Sequence, residues 1–271
     1  MSHHSEYDEE NELNLTFSWY NEDEDVSMLI ALSDQIIKCV EDQGWIFKRK
    51  LGQGASTVAF LLSKNNQEQV LLINKHNHIE GLASIRKLQR LHKDAKNYIA
   101  RVYKPLNCYG ILSEDPVYLK VEIEHNYQFS MVEPADYTLA ETLYRRLQDS
   151  VESKKHFIAD LFDDIVDIFE YIEKIGYNYS DRQSDNFAYS NNFLILIDLE
   201  SLRPGVDKIS PIDIAYEIIG NVVIPPFEED NFLILKNEDS WKGVTGFSRD
   251  NNEESQLGAY LEELMIEYNE A

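Results

Sequence analysis

The apolar positions change their period near the middle of the chain. Between residues 45 and 133 they fall in short runs broken by glycine and asparagine; after Ala135 they recur at helical spacing. WIFKRKLGQG, TVAFLLS and QVLLINK predict three strands, with a glycine turn after the first and an NNQE turn after the second. A helix is expected next, with Ile85, Leu88 and Leu91 on one face. YIARVY, PVYLKVEIE and YQFSMVE read as further strands, the last two separated by a turn at His125-Asn126. Upstream, Met28, Leu29, Leu32, Ile36, Ile37 and Val40 fit a helix over Ser27–Val40, and residues 1 to about 15 read as a disordered acidic arm.

The second half is helical. TLAETLYRRL is one segment. Lys154–Lys174 is a longer one, with a wide apolar stripe through Phe157, Leu161, Ile165, Ile168 and Ile172 and an acidic opposite face. FAYS-NN-FLILID reads as a strand pair. Residues 211–223 look helical, 225–250 polar and irregular, and 254–268 amphipathic. No internal repeat is visible. The expected fold class is α+β, with an acidic arm at 1–24, a strand-rich lobe with a leading helix at 25–133 and a helical lobe at 134–271.

Composition narrows the partners. The 271 residues carry a formal charge of -24, which repels nucleic acid and anionic membrane and favours a basic protein partner, or simply solubility. No apolar run approaches membrane-spanning length. Cys39 and Cys108 lie far apart with no metal-ligand spacing, so a disulfide framework is not expected and a reducing, cytoplasmic compartment is. The polar, acidic N-terminus is no secretory signal. RKLQRLHKDAK, Arg86–Lys96, is a basic run in an acidic chain; it either docks an anionic partner or is a solvated helix face neutralised by the acidic arm.

Two stretches carry candidate chemistry. In LGQGASTVAFLL, Gly52 and Gly54 allow a tight turn and close approach to a phosphate, with Val58 placed beneath a flat base; Thr57 stands where a third glycine would. Lys75, closing VLLINK, can pair with phosphate oxygens. In YSDRQSDNFAYSNNFLILIDLE, Asp181 and Asn186 are five residues apart and a strand pair returns the chain to Asp198. Phosphoryl transfer needs one carboxylate to orient the attacking hydroxyl, and an amide oxygen and second carboxylate to hold Mg²⁺. Asp181, Asn186 and Asp198 suit those three roles in turn.

Over residues 45 to 215 the chain resembles the protein-kinase-like superfamily. LGQGASTV resembles its glycine-rich loop and LLINK its V-A-I-K strand. FSMVEPADYTLAETL resembles the hinge and following helix, YSDRQSDN the H-R-D-x-x-x-x-N loop, and IDLE the D-F-G element. The resemblance implies a bilobal fold with ATP between the lobes. It also implies adenine bonded by the backbone of Glu133 and Ala135, phosphates held by Gly52, Gly54 and Lys75, Mg²⁺ on Asn186 and Asp198, and Asp181 as catalytic base.

The sequence departs from that pattern in specific places. Tyr179 and Ser180 replace the His and Arg before the catalytic Asp, and Leu199 and Glu200 the Phe and Gly after the metal Asp. Only fifteen positions separate Asp198 from Asp213, too few for an ordinary activation segment; Asp213 is a candidate brace for the catalytic loop. The helix after Lys75 offers only the early Glu80 as an ion-pair partner, with Gln89 an uncharged alternative. This economy is similar to compact bacterial effector kinases and, in IDLES…PIDIAYEI, to the aminoglycoside and choline kinases. The expected function is ATP- and Mg²⁺-dependent transfer to Ser/Thr of a protein. A pseudokinase acting as a protein-binding module and a small-molecule kinase are the alternatives.

Overall fold

The computed structural model describes residues 16–21, 26–53, 57–74, 79–110, 125–199, 201–206, 208–223, 247–248 and 251–270. The chain divides into two compact units, Met1–Asn77 with Lys104–Met131, and His78–Tyr103 with Val132–Ala271. The fold class is α+β, with antiparallel pairing in every sheet.

The first unit opens with β1 (Thr16–Asn21) and β2 (Val26–Ala31), an antiparallel pair running from Thr16–Ala31 to Asn21–Val26. This corrects two expectations: part of the N-terminal arm is a strand, and Ser27–Val40 is not one helix. The divide falls at Ser33, whose hydroxyl caps α1 (Asp34–Asp42) by accepting from the Ile36 N–H at 3.4 Å. Ile36 and Val40 supply its buried face. Gly44 ends the helix at φ +83, a left-handed conformation suited to glycine.

A five-stranded sheet follows in the order β3-β4-β5-β7-β6, built from β3 (Ile46–Gln53), β4 (Thr57–Lys64), β5 (Gln67–Asn74), β6 (Leu106–Gly110) and β7 (His125–Val132). The three expected strands of residues 45–75 are present. His125 and Asn126 do not turn; they pair with Gly110 and Tyr109 inside β7. PVYLKVEIE lies outside the described residues. Cys39 and Cys108, not expected to pair, are joined in a disulfide between α1 and β6, with Cα atoms 5.8 Å apart.

The second unit contains α2 (Ile79–Leu91), whose Leu82, Ile85 and Leu88 are buried while Leu91, at the helix end, is 72% exposed. YIARVY is not a strand. A 3₁₀ turn at Lys93–Asn97 leads to two isolated bridges, Ile99 with Leu196 and Val102 with Val132. The reason is local: the Gln89 side chain donates to the Ala100 carbonyl at 2.7 Å and accepts from the Val102 N–H at 2.9 Å, replacing strand partners.

β8 (Tyr137–Thr138) and α3 (Leu139–Arg145) precede α4 (Val151–Lys174), the longest helix described and the hub of this unit's core. α5 (Pro211–Val223) and α6 (Asn251–Glu270) pack on it. Lys154 of α4 is fully buried; its ammonium donates to the Phe247 carbonyl at 2.8 Å and pairs with Glu253 of α6 at 3.2 Å. A buried charge without such partners would be strongly disfavoured. Among the described residues, no helix is long and apolar enough to cross a membrane.

Candidate functional site

α4 ends at Ile175, and Gly176 at φ +77 redirects the chain into β9 (Tyr177–Tyr179). β9 pairs with β12 (Leu202–Pro204), Tyr179 opposite Leu202. This fixes the start of the loop carrying Asp181. A 3₁₀ turn, Ser184–Asn186, leads into the hairpin of β10 (Phe187–Ser190) and β11 (Phe193–Leu196). Asn191 and Asn192 turn it with φ of 52 and 68, the left-handed pair that matches strand twist in a two-residue hairpin.

Asn186 is buried at 8% exposure and ties the loop together. Its Nδ2 donates to the Asp181 carbonyl at 2.9 Å, and its own carbonyl accepts from the Ile197 N–H at 2.8 Å. The second bond extends the hairpin ladder by one step and sets Asp198 beside Asn186. Asp181 and Asp198 are both half-buried. With its nitrogen committed, Asn186 has an oxygen left to face a cation. An amide oxygen and a carboxylate are the hard donors Mg²⁺ takes when substrate phosphates and waters complete its shell, so these residues fit the ion. Among the described residues, no three His, Cys, Asp or Glu side chains gather into a metal site of their own.

Tyr179 faces the same place. It is fully buried, and burial, then Asp198, then Asp181 push its phenol far above the ordinary tyrosine range, with the nearby Asn186 amide opposing. Its hydroxyl makes no hydrogen bond of acceptable geometry. The sequence gives no sign of this burial, which depends on segments joined only in the fold.

Residues 133–136 join the hairpin directly. Glu133 donates its N–H to the Arg101 carbonyl at 2.9 Å, while its carboxylate accepts from the Arg101 N–H at 3.2 Å and the Ser190 hydroxyl at 3.4 Å. Asp136 donates its N–H to the Tyr189 carbonyl at 2.7 Å and accepts from the Asn191 N–H at 2.8 Å. Glu133, half-buried like Ala135, is thus tied to Arg101 and to the hairpin. Asp213 is exposed and pairs with Ser210 at the start of α5, the Ser210 hydroxyl donating to its carboxylate at 2.7 Å. The contact from α5 to the loop comes instead from Glu217, one turn on, which pairs with Arg182 at 3.1 Å.

In the first unit, Gly52 lies opposite Ala59 beside a bulge in β3, and a Cβ added there would meet nothing within 4 Å. Val58 is fully buried. Gly54 and Lys75 lie outside the described residues. Gln89 is committed at both ends of its amide to Ala100 and Val102. No family model matches the chain, and no curated protein is significantly similar to it.

Proposed function

We propose that the chain is an ATP- and Mg²⁺-dependent phosphotransferase of bilobal, protein-kinase-like architecture, with Ser or Thr of a protein as the first candidate acceptor. One observation carries the reading. Asp181, Asn186 and Asp198 converge through the Asn186–Asp181 and Ile197–Asn186 bonds, and their types are those that phosphoryl transfer requires. Asp181 orients the acceptor hydroxyl and receives its proton as the new O–P bond forms and the bond to ADP breaks. Asn186 and Asp198 would hold Mg²⁺, which would supply charge to offset that of the phosphates. Glu133 and Ala135 present backbone groups to the base. The roles of Gly52, Gly54 and Lys75 rest on sequence alone.

The test is transfer from radiolabelled ATP to a panel of generic protein substrates. Asp181→Asn is expected to cut transfer by about 10²- to 10⁴-fold, the usual worth of a positioned acid or base. Undiminished transfer in that variant contradicts the proposal. A second reading, a pseudokinase acting as a binding module, draws on the sequence departures Leu199 and Glu200 after Asp198 and the lack of a Glu deep in the helix after Lys75. Capture of one stoichiometric partner, unaffected by nucleotide, together with no transfer, would select it.

A further inference from the structure

The basic run Arg86–Lys96 has no part in the candidate site. It occupies the C-terminal end of α2 and the 3₁₀ turn after it, within one compact unit. Leu82, Ile85 and Leu88 turn one side of the helix into the core. Lys87, Arg90 and Leu91, spaced i, i+3 and i+4, share another side, and all three are exposed. Lys93 and Lys96, three apart in a 3₁₀ turn, stand over one another and are exposed too. A solvated helix face in an acidic protein has acids at hand for its cations at helical spacing. The chain carries 49 Asp and Glu against 25 Lys and Arg, yet this run holds a single acid, Asp94. Arg145, Arg146, Lys154 and Arg182 each find a carboxylate; among the described residues, none of the Lys and Arg of the run does. Leu91 stands among them at 72% exposure, three residues on from buried Leu88, where the apolar stripe would have continued.

We propose that this face docks an acidic protein segment bearing an apolar side chain: its carboxylates pair with Lys87, Arg90, Lys93 and Lys96, and its apolar group covers Leu91. Such docking stands whether or not the phosphotransferase reading does. Charge complementarity selects the partner. The chain as a whole carries -24, so a membrane or a nucleic acid, whose charge extends far beyond the patch, meets repulsion all around it. A short acidic segment confines its carboxylates to the patch. An exposed leucine among the cations is matched by an apolar side chain and not by a phosphate backbone. Its burial supplies affinity that ion pairs in water supply only weakly.

The probe is a fluorescein-labelled peptide of glutamates around a central leucine, titrated with the full chain at low salt and followed by fluorescence anisotropy. Wild type is expected to bind it, and not to bind a peptide with glutamines in place of the glutamates. Arg90→Glu/Lys93→Glu and Leu91→Ser change exposed side chains and should unfold near the wild-type temperature. Each is expected to weaken binding about tenfold. Salt at about 1 M, which shortens screening to about 3 Å, should weaken it further. Carbodiimide, which joins carboxylates to lysine amines, should link the peptide to Lys87, Lys93 or Lys96. No binding by wild type, unchanged binding in either variant, or links confined to other lysines overturns the proposal. Binding of phosphatidylserine vesicles or of oligothymidylate where the glutamate peptide does not bind also overturns it, and assigns the face to a membrane or a nucleic acid.

Discussion

Among the described residues the same hairpin turn occurs twice. β4–β5 turns at Asn65-Asn66, with φ of 52 and 62, and β10–β11 at Asn191-Asn192, with φ of 52 and 68. Both turns are short, polar and left-handed, and both join apolar strands. The first strand pair is eight residues long on each side and ends in an exposed tip. The second is four residues long on each side, is mostly buried, and is held from outside by Asp136 and Glu133. Identical turn chemistry therefore builds a sheet in one place and positions the candidate site residues in the other. The difference lies in the flanks: Asn186 enters the second hairpin and Asp198 leaves it.

Replacing each turn by Ala-Ala sharpens this contrast most. A side chain other than Gly, Asn or Asp in the left-handed region costs about 1–2 kcal/mol per residue. Both double variants should therefore unfold at lower temperature by similar amounts. Only the Asn191/Asn192 variant should also lose the stabilisation conferred by ATP·Mg²⁺. If the Asn65/Asn66 variant loses it equally, the second hairpin has no special role.

A smaller effect is expected from Asp136→Ala, which removes the acceptor for the Asn191 N–H. The expected loss is about 1 kcal/mol, read as a fall in denaturant midpoint.

The smallest effect concerns pH. Asp164 on α4 is pushed up to about 6 by burial and then by Asp167, Asp160 and Asp163, and it opposes ionisation of Tyr189 in β10. The folded state therefore holds its proton more tightly than the unfolded state. Stability from this group is full below pH 3.8 and is lost as pH rises through about 6. Asp164→Asn should raise the unfolding temperature at pH 7.5 by clearly more than at pH 5, since the penalty builds from pH 3.8 to about 6. A gain of equal size at both values would assign it to something other than this proton.

Much of this organisation was legible where local signals were strong. Both hairpins follow from Asn-Asn between apolar runs, and α4 from a stripe sustained over its whole length. The N-terminal strand pair was not, because the apolar run Val26–Ala31 abuts α1 and only the Ser33 cap marks the change. β6 was missed because LNCYG is short and follows Pro105. YIARVY carries real burial, at Ile99, Ala100 and Val102, but a side chain eleven or more residues away decides its hydrogen bonding. In the site, the spacing of Asp181, Asn186 and Asp198 was readable. The Arg182–Glu217 pair and the buried oxygen of Tyr179 were not, since each depends on segments brought together only by the fold.

The measurement that tests the central claim most directly is thermal unfolding of the purified chain with and without ATP·Mg²⁺, beside Asp198→Ala. At a hundredfold over Kd, ligand should stabilise the wild type by about 2.7 kcal/mol, only when magnesium is present, and the variant should show no such shift. No shift at millimolar ATP·Mg²⁺, or an equal shift in Asp198→Ala, would contradict the account.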